Sequence, residues 1–256
     1  MSAKGPIFIL SIDGGGSRGV IPANILYHLE HDAAIAVRKS FDFFTGVSTG
    51  AMIAAYLARN AGSVERLATE SYSAENLSRI MDKTVWDKML GRMQNQPKYD
   101  GVNKRAYAAD LLNDSRINDI EDKHLLILAY DFINRELVTF KNQRGHDAAY
   151  NPTLTEVCDA ATAAPTMYPT VATSSLNRRW LIDGALTTND PAICAITESL
   201  AMGYGLEDIW MLSLGTGQPV HDLSQEDRDE IGSASQDWGI VGWLSNGLLD
   251  HMTVSY

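Results

Sequence analysis

The sequence predicts an α/β fold in which a mostly parallel central sheet lies between two layers of helices. An apolar run at Ile7–Ile12 leads into a glycine-rich loop, a second apolar run follows at Phe41–Thr45, and a helical pattern follows each of them. Strands buried on both faces are continuous apolar runs, because helices cover both sides of a parallel sheet. A strand–turn–helix unit that recurs along a chain is typical of three-layer α/β/α proteins.

The two units define the first four elements. The strand at Ile7–Ile12 is followed by a helix that begins near Pro22, a residue tolerated in a first helical turn. Apolar residues at helical spacing predict that this helix continues to Val37. The second strand, Phe41–Thr45, is followed by an Ala-rich helix at Ala51–Asn60.

The later part of the chain continues the alternation. Further strands are predicted at Leu125–Tyr130, Glu136–Lys141, Trp180–Asp183 and Ile209–Leu214, with a helix at Thr155–Ala164. Residues 221–236 carry five acids and one arginine and predict a solvated loop. Since no repeat or clear linker interrupts the chain, we expect a single domain over residues 1–256.

A helical insertion is predicted over residues 63–119, which carry no strand pattern. Within it Met and Trp side chains fall near one helical stripe that includes Trp86, Met89 and Met93. The favoured interpretation is a helix packed on the sheet. The alternative is a helical cap region whose stripe meets lipid or covers a site.

Composition excludes several classes of protein. The chain has 21 Lys+Arg and 32 Asp+Glu, a net charge of −11, which argues against a nucleic-acid partner and against binding to anionic lipid by charge alone. Cys158 and Cys194 are too few for a disulfide framework and form no metal-type cluster, and the acids near 221–230 lack the alternating pattern of a calcium-binding loop. We therefore expect no metal, and we expect no cofactor. Without a signal-peptide or membrane-spanning pattern, a cytoplasmic protein is expected, with a secreted effector as the alternative.

The glycine loop after the first strand is a candidate anion site. Gly14–Gly19 matches G-x-G-x-x-G, but the second strand of a dinucleotide-binding unit should end in an acidic residue, and this one runs into Thr45 and Gly46. Glycine N–H groups at a helix N-terminus can instead bind a phosphate or the oxyanion of an acyl-transfer intermediate.

The second strand leads into a candidate nucleophile. Gly46–Gly50 is G-x-S-x-G between a strand and a helix, which predicts that Ser48 is exposed on a sharp turn. None of the six histidines has a distinctive setting as its base. Asp183 ends a strand before Gly184 and Ala185, and the residues alone leave open whether it is catalytic or caps a turn.

Three blocks in this order, Asp13–Gly19, Gly46–Gly50 and Asp183–Ala185, resemble the signature blocks of the patatin-like phospholipases. Two smaller stretches, Ala161–Pro165 and Leu212–Gly217, agree, so the resemblance spans residues 7–217. It implies a patatin-like fold and a lipid acyl hydrolase of the phospholipase A or lysophospholipase type. Because catalytic domains of this family often continue further, we expect that the C-terminal end is truncated.

The resemblance also implies the roles of individual residues. Ser48 would attack the ester carbonyl and Asp183 would accept its proton, with no histidine between them. The oxyanion would be held by backbone N–H groups in the first block, with Arg18 supporting the loop; the donors would be Gly14, Gly15 and Gly16. The expected partners are an acyl-lipid substrate, a membrane contacted peripherally, and a protein or cyclic-nucleotide activator.

Two alternatives remain at this point. An α/β-hydrolase would use Ser48, an acid, and either His221 or His251, an order that this chain satisfies. A lipid- or anion-binding module would keep the pocket without turnover.

Overall fold

The structure, a computed structural model, describes residues 4–81, 97–113, 115–142, 151–173, 178–218 and 224–237. Within these residues one seven-stranded sheet organises the fold, in the order β5–β6–β3–β2–β1–β7, with β4 paired to β3. The strands are β1 Ile7–Ile12, β2 Phe43–Val47, β3 His124–Asp131, β4 Glu136–Lys141, β5 Val171–Ala172, β6 Trp180–Asp183 and β7 Ile209–Leu214. The strands predicted from apolar runs are confirmed, four of them with the predicted bounds.

The central strands β7, β1, β2 and β3 are parallel, β4 and β6 pair antiparallel with β3, and β5 pairs antiparallel with β6. The helices are α1 Val20–His31, α2 Val37–Ser40, α3 Thr49–Arg59, α4 Val64–Arg66, α5 Ala74–Ile80, α6 Val102–Leu112, α7 Leu154–Ala161, α8 Ala192–Ala201 and α9 Gln225–Ser235. A π-helical turn, Leu67–Ser71, joins α4 to α5.

Helices cover both faces of the sheet. Buried side chains of α1, α3 and α7 pack with one face of β1, β2 and β3 in the larger core cluster. Ala195 of α8 packs with the other face, against residues such as Ile9 and Leu128. The predicted α/β fold with a mostly parallel sheet between helical layers is therefore confirmed.

Two strands share one edge of β3. Since β4 pairs with Leu126–Asp131 along one edge, β2 and β6 must both pair along the other. β2 ends with Val47 opposite Leu128, and β6 runs in the opposite direction and ends with Asp183 opposite Ala129. The C-terminal ends of β2 and β6 therefore meet, which brings the residues that follow Val47 close to Asp183.

Two sequence predictions are wrong. The first helix does not continue to Val37: α1 ends at His31, and Ala34 adopts a left-handed φ of 54° that no helix can contain. The expected loop at 221–236 contains α9, whose Ser224 and Asp227 form a capping box. This helix buries no side chain, so its sequence lacks the apolar periodicity by which helices are recognised.

The predicted insertion over 63–119 is helical in its described parts, which contain no strand. The Trp86, Met89 and Met93 stripe lies outside the described residues. No helix among the described residues is long and apolar enough to cross a bilayer.

Candidate active site

Ser48 stands on a strained turn between β2 and α3. Its backbone has φ 54° and ψ −125°, a region that non-glycine residues avoid. The next residue, Thr49, is the first of α3, so the Ser48 hydroxyl lies at the helix N-terminus, where negative charge is favoured. The strand–serine–helix geometry predicted from G-x-S-x-G is thus present, but Ser48 is buried rather than exposed as predicted, because it lies in the wall of a cavity.

The two glycines of the motif permit close packing around Ser48. A Cβ atom on Gly46 would lie 2.1 Å from the carbonyl oxygen of Gly50, and one on Gly50 would lie 2.1 Å from the carbonyl oxygen of Ile12. Both obstacles are backbone atoms that cannot swing aside. Glycine at both positions therefore allows the start of α3 to pack against β2 and β1.

The Gly50→Ala variant is expected to lower the free energy of unfolding by about 3 kcal/mol, because its methyl group would overlap backbone. For a chain of this size, the thermal midpoint should fall by roughly 10 °C. Gly232→Ala is a matched control, since nothing lies within 4 Å of its added Cβ on α9. Circular dichroism melts of both variants make the comparison, and equal midpoints would contradict the packing argument.

Asp183 is fixed from three sides. Its N–H donates to the carbonyl of Ala163 at 3.0 Å, and its Oδ1 accepts from the N–H of Ala185 at 2.9 Å. On the third side lies the Ser48 hydroxyl, which favours the ionised form of the same carboxyl and so lowers its pKa. Asp183 therefore caps the 3₁₀ turn Gly184–Leu186 and also lines the cavity with Ser48, and its catalytic role stays a prediction.

Burial changes the acidity of this carboxyl. Loss of water raises the pKa of Asp183 from 3.8 to about 6, against the opposing effects of Ser48, the Ala185 N–H and the charge of Lys104. A carboxylate with a raised pKa is a stronger base than an exposed one and still ionises at neutral pH.

The glycine loop divides into a structural part and a part that faces the cavity. The Gly14 N–H donates to the carbonyl of Asn189 at 3.2 Å, and the Gly14 carbonyl accepts from Thr216 Oγ1 at 2.6 Å. Gly15 and Gly16 line the cavity, and their N–H groups have no acceptor among the described residues. Of the three predicted oxyanion donors, Gly14 is thus occupied, while Gly15 and Gly16 are available.

A cavity of about 490 Å³ opens over these residues. Ser48 and Asp183 line it together with Arg18 from the glycine loop. Most of its wall is apolar or aromatic; these residues include Met52, Tyr72, Leu77, Ile80, Met81, Tyr107, Met167, Tyr168, Ala185 and Leu186. An apolar cavity with a few converging polar groups is suited to a lipid chain that carries one reactive ester.

The predicted helical insertion contributes to this wall. Tyr72, at the end of the π-helical turn, donates to the Thr49 carbonyl at 3.1 Å and pairs with Thr49 Oγ1 at 2.6 Å. Tyr107 of α6 donates to the carbonyl of Ser71 at 2.9 Å and so steadies that turn. The insertion thus covers the cavity and also supports the helix that follows Ser48.

Lys104 is a cavity residue that the sequence analysis missed. It lies on α6, is only 6% exposed, and forms an ion pair with Asp159 of α7 at 2.8 Å. Neither residue stands in a motif, and 55 positions separate them. No feature of the sequence could have indicated the pair.

The described histidines lie away from the cavity wall. His28 and His31 are on α1, where both bond to Asp32, and His124 begins β3, at the end of that strand opposite to Asp183. None of these three lines the cavity. His221 and His251 lie outside the described residues. In the described part of the chain, no group of three or more His, Cys, Asp or Glu could hold a metal ion.

A parallel sheet, a serine on a strained strand–helix turn and a carboxylate beside it define a class of α/β proteins with a serine elbow. Comparison with known proteins narrows this class. The family model described as patatin-like phospholipase matches residues 10–196, and the chain belongs to that family. The resemblance stated from the three sequence blocks is confirmed.

Individual relatives agree with this assignment. The chain is 30% identical to patatin-like protein 2 of Oryza sativa subsp. indica, over 94% of this chain and 67% of that protein. It is 26% identical to a probable inactive patatin-like protein 9 of Arabidopsis thaliana, over 82% of this chain and 60% of that protein. The crystal structure of VipD from Legionella pneumophila superposes with a TM-score of 0.53 at 14% identity, over 92% of this chain and 54% of that one.

The chain matches only part of the length of each relative. The chain spans about two thirds of the rice protein and about half of VipD. The likeness to VipD supports the fold alone.

Proposed function

We propose that this protein is a lipid acyl hydrolase of the phospholipase A or lysophospholipase type that cleaves fatty-acyl esters with a Ser48–Asp183 dyad. The observation that carries the proposal is that Ser48, on its strained turn, and the buried Asp183 carboxyl line the same cavity, close enough for the serine hydroxyl to favour the ionised carboxylate and lower its pKa. Serine hydrolases with a triad place a histidine between these two groups. Here the acid lines the same cavity as the nucleophile, and its raised pKa suits it to accept the proton directly.

The reaction follows from these positions. Ser48 Oγ attacks the acyl carbonyl carbon while Asp183 takes the hydroxyl proton, and the oxyanion is bound by the N–H groups of Gly15 and Gly16. Asp183 then returns the proton to the departing alcohol, leaving an acyl-enzyme. A water molecule, deprotonated by Asp183, releases the fatty acid and restores Ser48.

Arg18 has a supporting role in this scheme. It lies in the 3₁₀ turn Gly16–Gly19, and its backbone N–H donates to the carbonyl of Gly15 at 3.1 Å. This bond fixes the orientation of the peptide that links Gly15 to Gly16, on which the second oxyanion donor depends. The guanidinium adds positive potential beside the developing negative charge.

Product analysis tests the proposed reaction. The native protein is incubated with mixed phospholipid vesicles in ¹⁸O-water, and the products are identified by mass spectrometry. We expect free fatty acid that carries ¹⁸O in its carboxyl group, together with lysophospholipid. Release of a phosphorylated headgroup or of phosphatidic acid would overturn the acyl-hydrolase assignment, because it would show cleavage at phosphorus.

The pH dependence of kcat/KM should show an acidic limb near pH 6. Asp183 must be ionised to act as base, and burial raises its pKa to about 6. Activity should therefore fall by about tenfold for each pH unit below that value and level off above it. Initial rates with a soluble ester between pH 4 and 8 give the profile. A limb near 3.8, the ordinary value for an aspartate, would contradict the assigned environment.

The proposal also covers how the protein reaches its lipid substrate and where in the cell it works. Peripheral contact with a membrane would rely on local apolar groups such as Met81, exposed at the cavity wall, because a net charge of −11 gives no general attraction to anionic lipid. A cytoplasmic protein with peripheral membrane association is proposed, with a secreted effector as the alternative. If the native protein hydrolyses no lipid, a protein or cyclic-nucleotide activator is the next addition to test.

A further inference from the structure

Lys104 is a charged group buried in the wall of the cavity, and the dyad chemistry does not require it. Removing an ammonium group from water is costly, so a buried lysine is retained only with close partners. Burial lowers the pKa of Lys104, while Asp159 beside it favours the charged form.

The partners of Lys104 use all of its protons. The ammonium Nζ lies 2.8 Å from Asp159 Oδ1, 2.6 Å from the Asp159 carbonyl oxygen and 3.0 Å from Thr162 Oγ1. It also lies 5.0 Å from the ring centre of Tyr168. Because an ammonium has three donors, none remains to bind a substrate group. Lys104 is therefore a fixed charge rather than a ligand-binding one.

This fixed charge connects to Asp183 in two ways. The segment after α7 accepts from Lys104 through Thr162, and the next residue, Ala163, accepts from the N–H of Asp183 at 3.0 Å. Lys104 and Asp183 also line the same cavity, and the lysine charge favours ionisation of the Asp183 carboxyl. One side chain thus acts on both the backbone and the charge state of the proposed base.

Besides Lys104, two cations line the same cavity as Asp183: Arg18 of the glycine loop and Lys98. Arg105 Nη1 lies 3.7 Å from Asp159 Oδ2, on the exposed side of the ion pair. The groups around Asp183 and Lys104 are the Ser48 hydroxyl from the start of α3, Arg105 from α6, Cys158 and Asp159 from α7, and Tyr168. Among the cations here, only Lys104 acts directly on Asp183.

We propose that Lys104 is a positioning residue of the acyl transfer: locked by Asp159 and Thr162, it anchors the segment that holds Asp183 and supplies the fixed positive charge facing its carboxylate. The inference rests on the proposed dyad, because it concerns the base of that dyad. Lys104 touches no reacting atom and acts through Asp183.

The pH profile of Lys104→Met tests this role. Loss of a nearby opposite charge should move the acidic limb of kcat/KM to higher pH by about 1 unit, because ionised Asp183 loses its electrostatic support. Lys104→Arg keeps the charge and should return the limb to its native position. Lys141→Met is the matched control: its half-buried ion pair with Glu198, at 2.9 Å, lies outside the cavity wall, so the limb should not move.

The outcomes separate the role of Lys104 from the proposed function. A Lys104→Met enzyme whose rate falls equally at every pH, with its limb unmoved, would overturn the positioning role while leaving the dyad intact. If the dyad itself is wrong, the native enzyme will show no acidic limb of kcat/KM near pH 6, and Asp183→Asn will keep native-like activity.

A second variant covers the case in which Lys104→Met does not fold. If Lys104→Met does not fold, Lys104→Gln provides the same test, because it keeps a donor for Asp159 or Thr162 without the charge. The rate of fluorophosphonate labelling against pH gives a second measure of Ser48 reactivity, and its limb should shift in the same direction. An unmoved limb in both measurements would count against the proposal.

Discussion

Asp183→Asn is expected to lower kcat for fatty-acid release by about 10³–10⁴-fold, in the upper part of the range that a general acid–base group contributes. Asparagine has nearly the size of aspartate, and its side-chain oxygen can still accept from the Ala185 N–H that Asp183 bonds at 2.9 Å. Its amide cannot accept the Ser48 proton. The variant should therefore fold, bind substrate and fail at the chemical step, as measured by single-turnover kinetics.

Asp131→Asn is the matched control for this experiment. Asp131 is fully buried on β3, opposite Leu181 of β6, and its carboxylate accepts from the Asn134 side chain at 2.7 Å. It does not line the cavity. Its replacement should lower the melting temperature but keep kcat within a few-fold of native. Native-like kcat in Asp183→Asn would contradict the dyad.

The histidine alternative is tested by separate replacements. His221→Ala and His251→Ala are expected to retain activity, because in the proposed dyad Asp183 accepts the Ser48 proton without an intervening imidazole. Loss of turnover in either variant, with folding shown intact by circular dichroism, would favour the triad of an ordinary α/β-hydrolase.

The parts of the fold that the sequence predicts are those whose information is local. β1 and β6 are apolar runs ended by residues that form turns, and the elbow at Gly46–Gly50 combines a strand end, a turn and a helix start within a few positions. The meeting of Ser48 with Asp183 is less local. It depends on β2 and β6 sharing one edge of β3, and here only the order of the three blocks indicated it.

Other features could not be predicted because they depend on contacts between residues far apart in the sequence, or because the segment lacks an apolar pattern. The Lys104–Asp159 pair joins two helices whose sequences show no motif. The Gly14 N–H donates to the carbonyl of Asn189, which lies 175 positions later in the chain. The sequence does not show this bond, so all three loop glycines were predicted as equivalent oxyanion donors. α9 buries nothing and therefore shows no periodicity. Tertiary contacts decide the first two features, whereas the capping box of Ser224 and Asp227 is a local signal for the start of α9.

Ser48→Ala is expected to reduce fatty-acid release by about 10⁵–10⁶-fold, because no other group replaces the attacking oxygen. Labelling by a fluorophosphonate probe should disappear as well, which separates a true nucleophile from a residue that only shapes the pocket. Labelling of the native protein is the positive control. A Ser48→Ala protein that still labels would contradict the assignment, and a native protein that binds lipid without labelling would favour a binding module.

The backbone at Ser48 adds a test of how the site stores strain. Alanine at this position keeps the unfavourable φ of 54°, whereas glycine adopts it freely. Ser48→Gly should therefore be inactive like Ser48→Ala but more stable by about 1 kcal/mol, measured as a difference of a few degrees in thermal midpoint. Equal midpoints would mean that the turn is unstrained. A higher midpoint for Ser48→Gly would mean that a non-glycine residue lowers the stability of this turn. The native serine would then keep its hydroxyl between β2 and α3, beside Asp183, at a cost in stability.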